Sequence, residues 1–379
     1  MHRKPAFVKA AKRTEKVAAP QTAARAARRK SGGITLRDVA KLAGVSAITA
    51  SRALNTPDKV SPAALARIRA AVARTGYVPN LLAGGLASNR SRLVAAVVPT
   101  IAGSVFMETI QALTDELANA GFQLMLGQSG YRDSREDALL DAIIGRRPDG
   151  IVLTGVMRSN EGRKRLLASG IPVVETWDLT ASPIDMLVGF SHEKVGAEVA
   201  THLHRKGYRR CAIVTADDQR ADLRRKGFEA QWQALSGNHT AARKRSASTI
   251  PVWTVPAPST LAGGRAALTG LLAQHPRLDA IWCSSDLLAH GVVTEAHARG
   301  IAVPQDLAVH GFGDLAFAAH IHPALTTVRI DGTAIGREAA RCIIARYTDE
   351  RDGTTRATPS KAAKLVRDIG FAIVARASV

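Results

Sequence analysis

The chain of 379 residues holds only three cysteines, Cys211, Cys283 and Cys342, far apart and each in an apolar segment. Neither a disulfide framework nor a CxxC metal knuckle can be assembled from them, which fits a reducing compartment. Long apolar runs are also missing. Leu93 to Val98 and Ile151 to Leu153 fall well short of the ~18 to 20 residues that cross a bilayer, and the N-terminus has no apolar secretory stretch. A cytoplasmic protein is expected. The motifs GxxxxGK(S/T), GxSxG and HExxH do not occur. His202 and His204, two apart, point away from each other on a helix, while His192-Glu193 and the pair His290 and His297 read as surface or supporting groups. No catalytic residue, metal or cofactor is expected.

Acidic residues are scarce in one region only. Through Arg90 there are three Asp and Glu against eighteen Lys and Arg, so +15 of the formal net charge of +20 lies there. The remainder, Ser91 to Val379, carries +5. Each phosphate neutralised by Lys or Arg releases counterions, so a polyanion held by the N-terminal quarter is the economical reading.

What is present supports a folded chain: 46% apolar and 22% charged residues are enough for buried cores and for two or three domains. Residues 1–33 are Ala, Lys and Arg with ten basic residues against Glu15, and no core can form from them. A solvated tail and a DNA-tracking arm both fit that composition.

From Thr35 the texture becomes short capped helices. Thr35 and Asp38 make a T-x-x-D capping box ahead of Leu36, Val39, Ala40 and Ala43 on one helical face, and Gly44-Val45 breaks that helix. Ser46 can cap a second helix in which Ala50, Ala53 and Leu54 face inward. Its opposite face carries Ala47, Ile48, Ser51, Arg52 and Asn55, too bare of Glu and Lys for an ordinary solvated surface. Ser61-Pro62 opens a third helix, with Leu65, Ile68 and Val72 inside, and Thr75-Gly76 closes it. Two capped helices joined by a tight turn and followed by a third match a helix-turn-helix, whose second helix enters the major groove.

Beyond Ser88, strands expected at 93–98, 122–126, 150–154, 171–175, 185–190, 210–215, 250–255, 279–283, 306–310 and 369–374 alternate with helices. Those helices fall at about 106–120, 135–145, 160–169, 193–206, 220–235, 260–275, 286–299 and 332–347. Repeated βα units of this length imply parallel sheets, and roughly 290 residues of them imply two lobes, with ligands at the carboxyl ends of the strands.

The run from Thr35 to Asn55, with Val60-Ser61 and Gly76-Tyr77-Val78-Pro79-Asn80, closely resembles the lactose-repressor (LacI) family of bacterial transcription regulators. The resemblance extends through Val97-Val98-Pro99, Asp149-Gly150-Ile151, Gly207-Tyr208, Ser285-Asp286, Gly311-Phe312 and Leu325 to Arg329, covering 34 to about 375. It implies an N-terminal all-α helix-turn-helix domain with a hinge, then an α/β two-lobed, periplasmic-binding-protein-like domain. The implied organisation is a basic tail at 1–33, a DNA-binding domain at 34–79, a hinge at 80–90 and an effector domain at 91–379. The first lobe would take about 91–189 and 319–348, the second about 190–318 and 349–379.

Family base-reading positions correspond to Ala47, Ile48 and Arg52. Arg52 can make the bidentate contact to guanine, whereas Ala47 and Ile48 can only pack against thymine methyls. Ser51, Asn55, Thr35, Ser61, Tyr77 and Asn80 complete the expected DNA set, and Leu86 matches the family's minor-groove wedge. Gly84-Gly85 in that hinge disfavours helix in the free protein. Leu86 as a linker residue packed on the core is the alternative.

The effector contacts that the resemblance implies are Ser104, Phe106, Arg220, Arg224, Asp286 and Phe312. A guanidinium aimed into a cleft suits a carboxylate or phosphate. Solvated arginines and a helix-capping Asp286 are the plain alternatives. Gly127 to Phe190 looks most like the gluconate-utilisation repressors, implying gluconate or a 2-keto or 6-phospho relative, while Gly313-Asp314 replaces the family's commoner Asp-Asp pair. The expected protein is thus a repressor that binds a palindromic DNA operator as a homodimer and leaves it when effector binds between the lobes. The competing readings are a regulator answering to a neutral sugar or purine, and a periplasmic-type sugar-binding protein.

Overall fold

The computed structural model describes residues 34–78, 90–101, 104–130, 133–237, 250–351 and 364–379. The tail at 1–33 lies outside the described residues, as do Asn80 and Leu86 of the expected hinge. The described residues before and after 79–89 form two compact units.

In the first unit each helix begins where its capping chemistry allows. Thr35 Oγ1 accepts from the Asp38 N–H (3.4 Å) while Asp38 Oδ2 accepts from the Thr35 N–H (2.8 Å), which closes the box at the start of α1 (Leu36–Ala43). Gly44 then reverses the chain at φ 63°, a backbone that disfavours any residue with a Cβ. Ser46 Oγ accepts from the Thr49 N–H at 3.1 Å and opens α2 (Ala47–Asn55). Ser61, with Pro62 behind it, opens α3 (Pro62–Thr75). Val39, Ala43, Ala53, Ile68 and Ala71 make the core. Most of these side chains are methyl groups, so the helices close around the fully buried Ile68.

The second unit has two parallel sheets. In the first, β1 (Leu93–Val98) lies between β2 (Gln123–Gln128) and β3 (Gly150–Thr154), followed outward by β4 (Val173–Thr176) and β5 (Met186–Gly189). Val94 and Ala96 face α4 (Met107–Asn119), while Ala95 and Val97 face α5 (Asp133–Ile144) and α6 (Asn160–Ser169). Helices on both faces explain why β1 is apolar at every position. The second sheet repeats the plan: β6 (Cys211–Ala216) lies between β7 (Val252–Val255) and β8 (Ala280–Cys283), with β9 (Ala308–His310) beyond. Its layers are α7 (His192–Arg205) and α8 (Gln219–Leu235) on one face, α9 (Leu261–Gln274) and α10 (Asp286–Ala298) on the other. In both sheets the winding reverses beside the first strand, which opens a crevice at the carboxyl ends of β1, β3, β6 and β8.

The chain crosses back through β10 (Thr327–Arg329) to α11 (Gly332–Arg351), which docks on α4 where Thr109 Oγ1 donates to the Gly332 carbonyl (2.9 Å). The last segment departs from expectation. Instead of one strand at 369–374 in the second lobe, there are β11 (Leu365–Asp368) and β12 (Ala372–Val374). β11 pairs in parallel with β5 and so extends the first sheet, correcting the assignment of 349–379 to the second lobe. Gly370, at φ 72° and held by the Asp368 carboxylate (2.9 Å), turns the chain so that β12 runs antiparallel to β10. Only the final residues reach the second sheet, where Ser378 Oγ donates to the Val309 carbonyl (2.6 Å). No described helix is long and apolar enough to cross a membrane.

Candidate functional site

Two surfaces bring together residues singled out in the sequence. On the first unit, the outer face of α2 presents Ala47, Ile48, Arg52 and Asn55 exposed, with Ser51 half-buried. Ile48 is 67% exposed although apolar, which is costly in water and suits a face that meets a partner. Asn55 folds back on Ser51, donating to its carbonyl at 3.0 Å. Thr35 and Ser61 are exposed caps, so their helices point unsatisfied N–H groups outward, where a phosphate can accept them. Tyr77 is half-buried and packs against the helical core.

The second surface is a cavity of about 270 Å³ in the crevice between the lobes. Phe106 closes it from the turn that leads into α4, with the Trp177 ring edge-on at 5.0 Å. From α8 come two guanidinium groups. Arg220 lies 5.1 Å from the centre of the Phe106 ring, and Arg224 lies 3.9 Å over Phe312. Asp218, the cap of α8, and Ser284 and Ser285, between β8 and α10, add polar edges. Four of the six expected effector residues, Phe106, Arg220, Arg224 and Phe312, therefore share one cavity. Ser104 lies in the short turn Ser104–Phe106, and its side chain is outside the described set.

Asp286 stands apart from these four. It does not line the cavity but is fully buried beside it, accepting from the Thr327 hydroxyl and the Leu315 N–H (2.8 Å). It is not the helix cap either; Ser285 is. Burial pushes its carboxyl up to about 6. Asp314 in the same loop is gripped by Arg329 and Arg376, while Gly313, where the commoner pair has its first Asp, takes φ 127°.

His192 was expected at the surface or in support, yet it lines the cavity and is almost wholly buried. Burial, then the adjacent Arg224, holds its pKa well below the ordinary histidine range. Burial also pulls Arg224 down to about 10, and its Nε–H has no acceptor among the described residues. The signal for His192 was available: it directly follows a strand's carboxyl end and the capping residue Ser191. A tight helix crossing sets its partner. A Cβ on Gly196 would collide with the Arg224 carbonyl, and one on Gly227 with the Glu193 carbonyl, so only glycines let α7 and α8 touch backbone to backbone there. Trp177 was likewise not singled out as a contact; its left-handed backbone, φ 63°, sits at the cavity wall. No group of three or more potential metal ligands occurs among the described residues.

Comparison with known proteins bears on both surfaces. The description "Bacterial regulatory proteins, lacI family" matches residues 35–80, and "Periplasmic binding protein-like domain" matches 200–368. The HTH-type transcriptional regulator GntR of Pseudomonas aeruginosa is 36% identical over 353 residues, 92% of this chain and 97% of its own. The regulator of the same name from Escherichia coli K12 is 29% identical over 83% of this chain and 92% of its own. A solved LacI-family regulator from Silicibacter pomeroyi superposes with a TM-score of 0.79 at 31% identity, covering 91% of this chain and 99% of its own.

Proposed function

Because this chain belongs to the LacI family of bacterial transcription regulators, we propose that it is a repressor of sugar-acid utilisation genes, released from its operator by gluconate or a 2-keto or 6-phospho relative. That it is a DNA-binding regulator, and neither an enzyme nor a periplasmic-type binding protein, follows from its relatives. The operator is a two-fold palindrome read by a homodimer through the outer face of α2, with Arg52 supplying the bidentate base contact. The lobes respond to ligand because a ligand touching both favours one arrangement over another; without that difference in affinity it could not move DNA binding.

The observation that carries the sugar-acid reading is the buried, acceptorless Nε–H of Arg224 in a cavity where Arg220 adds a second guanidinium. An unsatisfied buried donor costs ~1 to 3 kcal/mol, which a ligand oxyanion would recover. The aromatic walls suit the carbon face of a polyol, and Asp218, Ser284 and Ser285 suit its hydroxyls. The likeness to the two regulators named GntR supports the same ligand class.

A thermal-shift panel of gluconate, 2-ketogluconate, 6-phosphogluconate, ribose and hypoxanthine tests this. Stabilisation by a sugar acid, with matching loss of binding to a palindromic site, is expected. A response to ribose or hypoxanthine alone overturns the sugar-acid assignment.

A further inference from the structure

Arg224 is buried, and both terminal nitrogens of its guanidinium are engaged. One Nη1–H faces His192 Nδ1 at 3.0 Å, one Nη2–H donates to the Ser284 carbonyl at 3.1 Å, and Nε is the guanidinium nitrogen with no partner among the described residues. Arginine has donors and no acceptor, so His192 Nδ1 must accept. The other ring nitrogen, Nε2, lies 2.8 Å from the Trp177 carbonyl, which can only accept, so Nε2 must carry the proton. One tautomer satisfies both bonds. The imidazole is also braced from the side by Phe190, edge-on at 4.6 Å.

These contacts make a path between the lobes. Trp177 follows β4 of the first sheet and Ser284 follows β8 of the second, and the imidazole and guanidinium connect their two carbonyls. Removing the imidazole would leave a buried arginine N–H and the Trp177 carbonyl without their bonds to it, and the guanidinium tethered at the Ser284 carbonyl alone.

We propose that His192 is a positioning residue for the effector: held between the Trp177 carbonyl and Arg224, it fixes the guanidinium so that its remaining N–H groups, Nε–H among them, are presented to a carboxylate or phosphate oxygen. Ligand held on Arg224 is thereby felt by the first lobe through Trp177. The inference rests on the cavity being the effector site. Arg224, Arg220 and Arg158 face the imidazole and disfavour its cation, while Asp218 and Asp178 face Arg224 and keep it charged.

The test uses the full chain with ¹⁵N-labelled histidine, together with calorimetry using gluconate as probe. The wild-type spectrum is expected to show a neutral Nε2–H ring for His192 from about pH 8 to about pH 5.5, and Arg224→Met to let that ring protonate more readily. His192→Phe should weaken gluconate binding roughly tenfold or more. His192→Asn keeps an oxygen near the Nδ1 position and should stay within about threefold of wild type. A purely structural histidine would lower the melting temperature in both variants and leave the affinity unchanged. An Nδ1–H ring, or equal affinities in all three proteins, overturns the proposal. If wild type takes up no sugar acid, the ligand reading falls, and the imidazole spectra alone decide whether Arg224 is held as described.

Discussion

The guanidinium of Arg220, in the first turn of α8, donates to the carbonyl of Thr154 at the end of β3 over 3.3 Å, so one side chain of the second lobe already touches the first. A charged N–H on a carbonyl contributes ~1.5 to 3 kcal/mol, and an anionic ligand beside Phe106 would compete for it. Arg220→Ala is expected to weaken gluconate binding by ~1 to 3 kcal/mol. Arg220→Lys, a point charge without the planar fork, should recover only part of the loss. Calorimetry on the three proteins decides; identical affinities would remove Arg220 from the ligand contacts.

On the DNA face, Arg52 is the residue of α2 with a hydrogen-bonding reach that matches guanine. Arg52→Ala should lower operator affinity by ~1 to 3 kcal/mol and relax the preference at one base pair of each half-site. Titration against a set of single-base operator variants at fixed salt measures both effects. Unchanged sequence preference would contradict the assignment.

The contact between α7 and α8 makes a stability prediction. Gly227→Ala places a methyl against the Glu193 backbone and should cost ~1 to 3 kcal/mol in urea unfolding, with weaker ligand binding because His192 and Arg224 separate. Gly263→Ala is the control: its added methyl meets Thr260 Oγ1 at 3.3 Å in a helix with ordinary backbone angles. There the gain in helix propensity should make the change neutral or stabilising.

His310 supplies a pH prediction. It is completely buried on β9, its Nδ1–H donating to the Gly311 carbonyl at 2.9 Å, and burial pushes its pKa down to about 3. In the unfolded chain it titrates near ~6.5. The unfolded state therefore binds the extra proton first, and the stability present above that pH is lost as pH falls below it. Asp286, raised to about 6, works the other way below that value, since its buried charge is relieved by protonation. His310→Phe should thus lose less stability than wild type between pH ~6.5 and ~5 in thermal melts. Parallel curves would exclude the histidine as a source of acid sensitivity.

The helices of the first unit were legible because their boundaries are local: Thr35, Ser46 and Ser61 cap, Gly44 and Gly76 stop, and each acts within four residues. The parallel strands were legible for the same reason, since β1 and β3 are short apolar runs between helical periods. What stayed hidden depended on distant partners. Leu365 of β11 meets Met186, and no pattern within 365–368 names that neighbour. Asp286 holds the right place in sequence for a ligand, but its bonds to Thr327 and Leu315 join residues 41 and 29 positions away, which no local pattern announces. His192 looked dispensable because its two partners, Trp177 and Arg224, come from opposite lobes.

The pairing of β11 with β5 has a bearing on how the protein is made. The strands of the second sheet all lie within Cys211–His310, whereas the first sheet waits for Leu365–Asp368 to complete its edge. Synthesis runs from the N-terminus, so a nascent chain has every strand of the later lobe in hand while the earlier one still exposes the flank of β5. Long-range closure of this kind is slow, and an open strand edge invites association with neighbouring chains. Of the described strands, the last to be translated that joins either parallel sheet belongs to the sheet begun first, and the interval before it emerges is where a chaperone has most to protect.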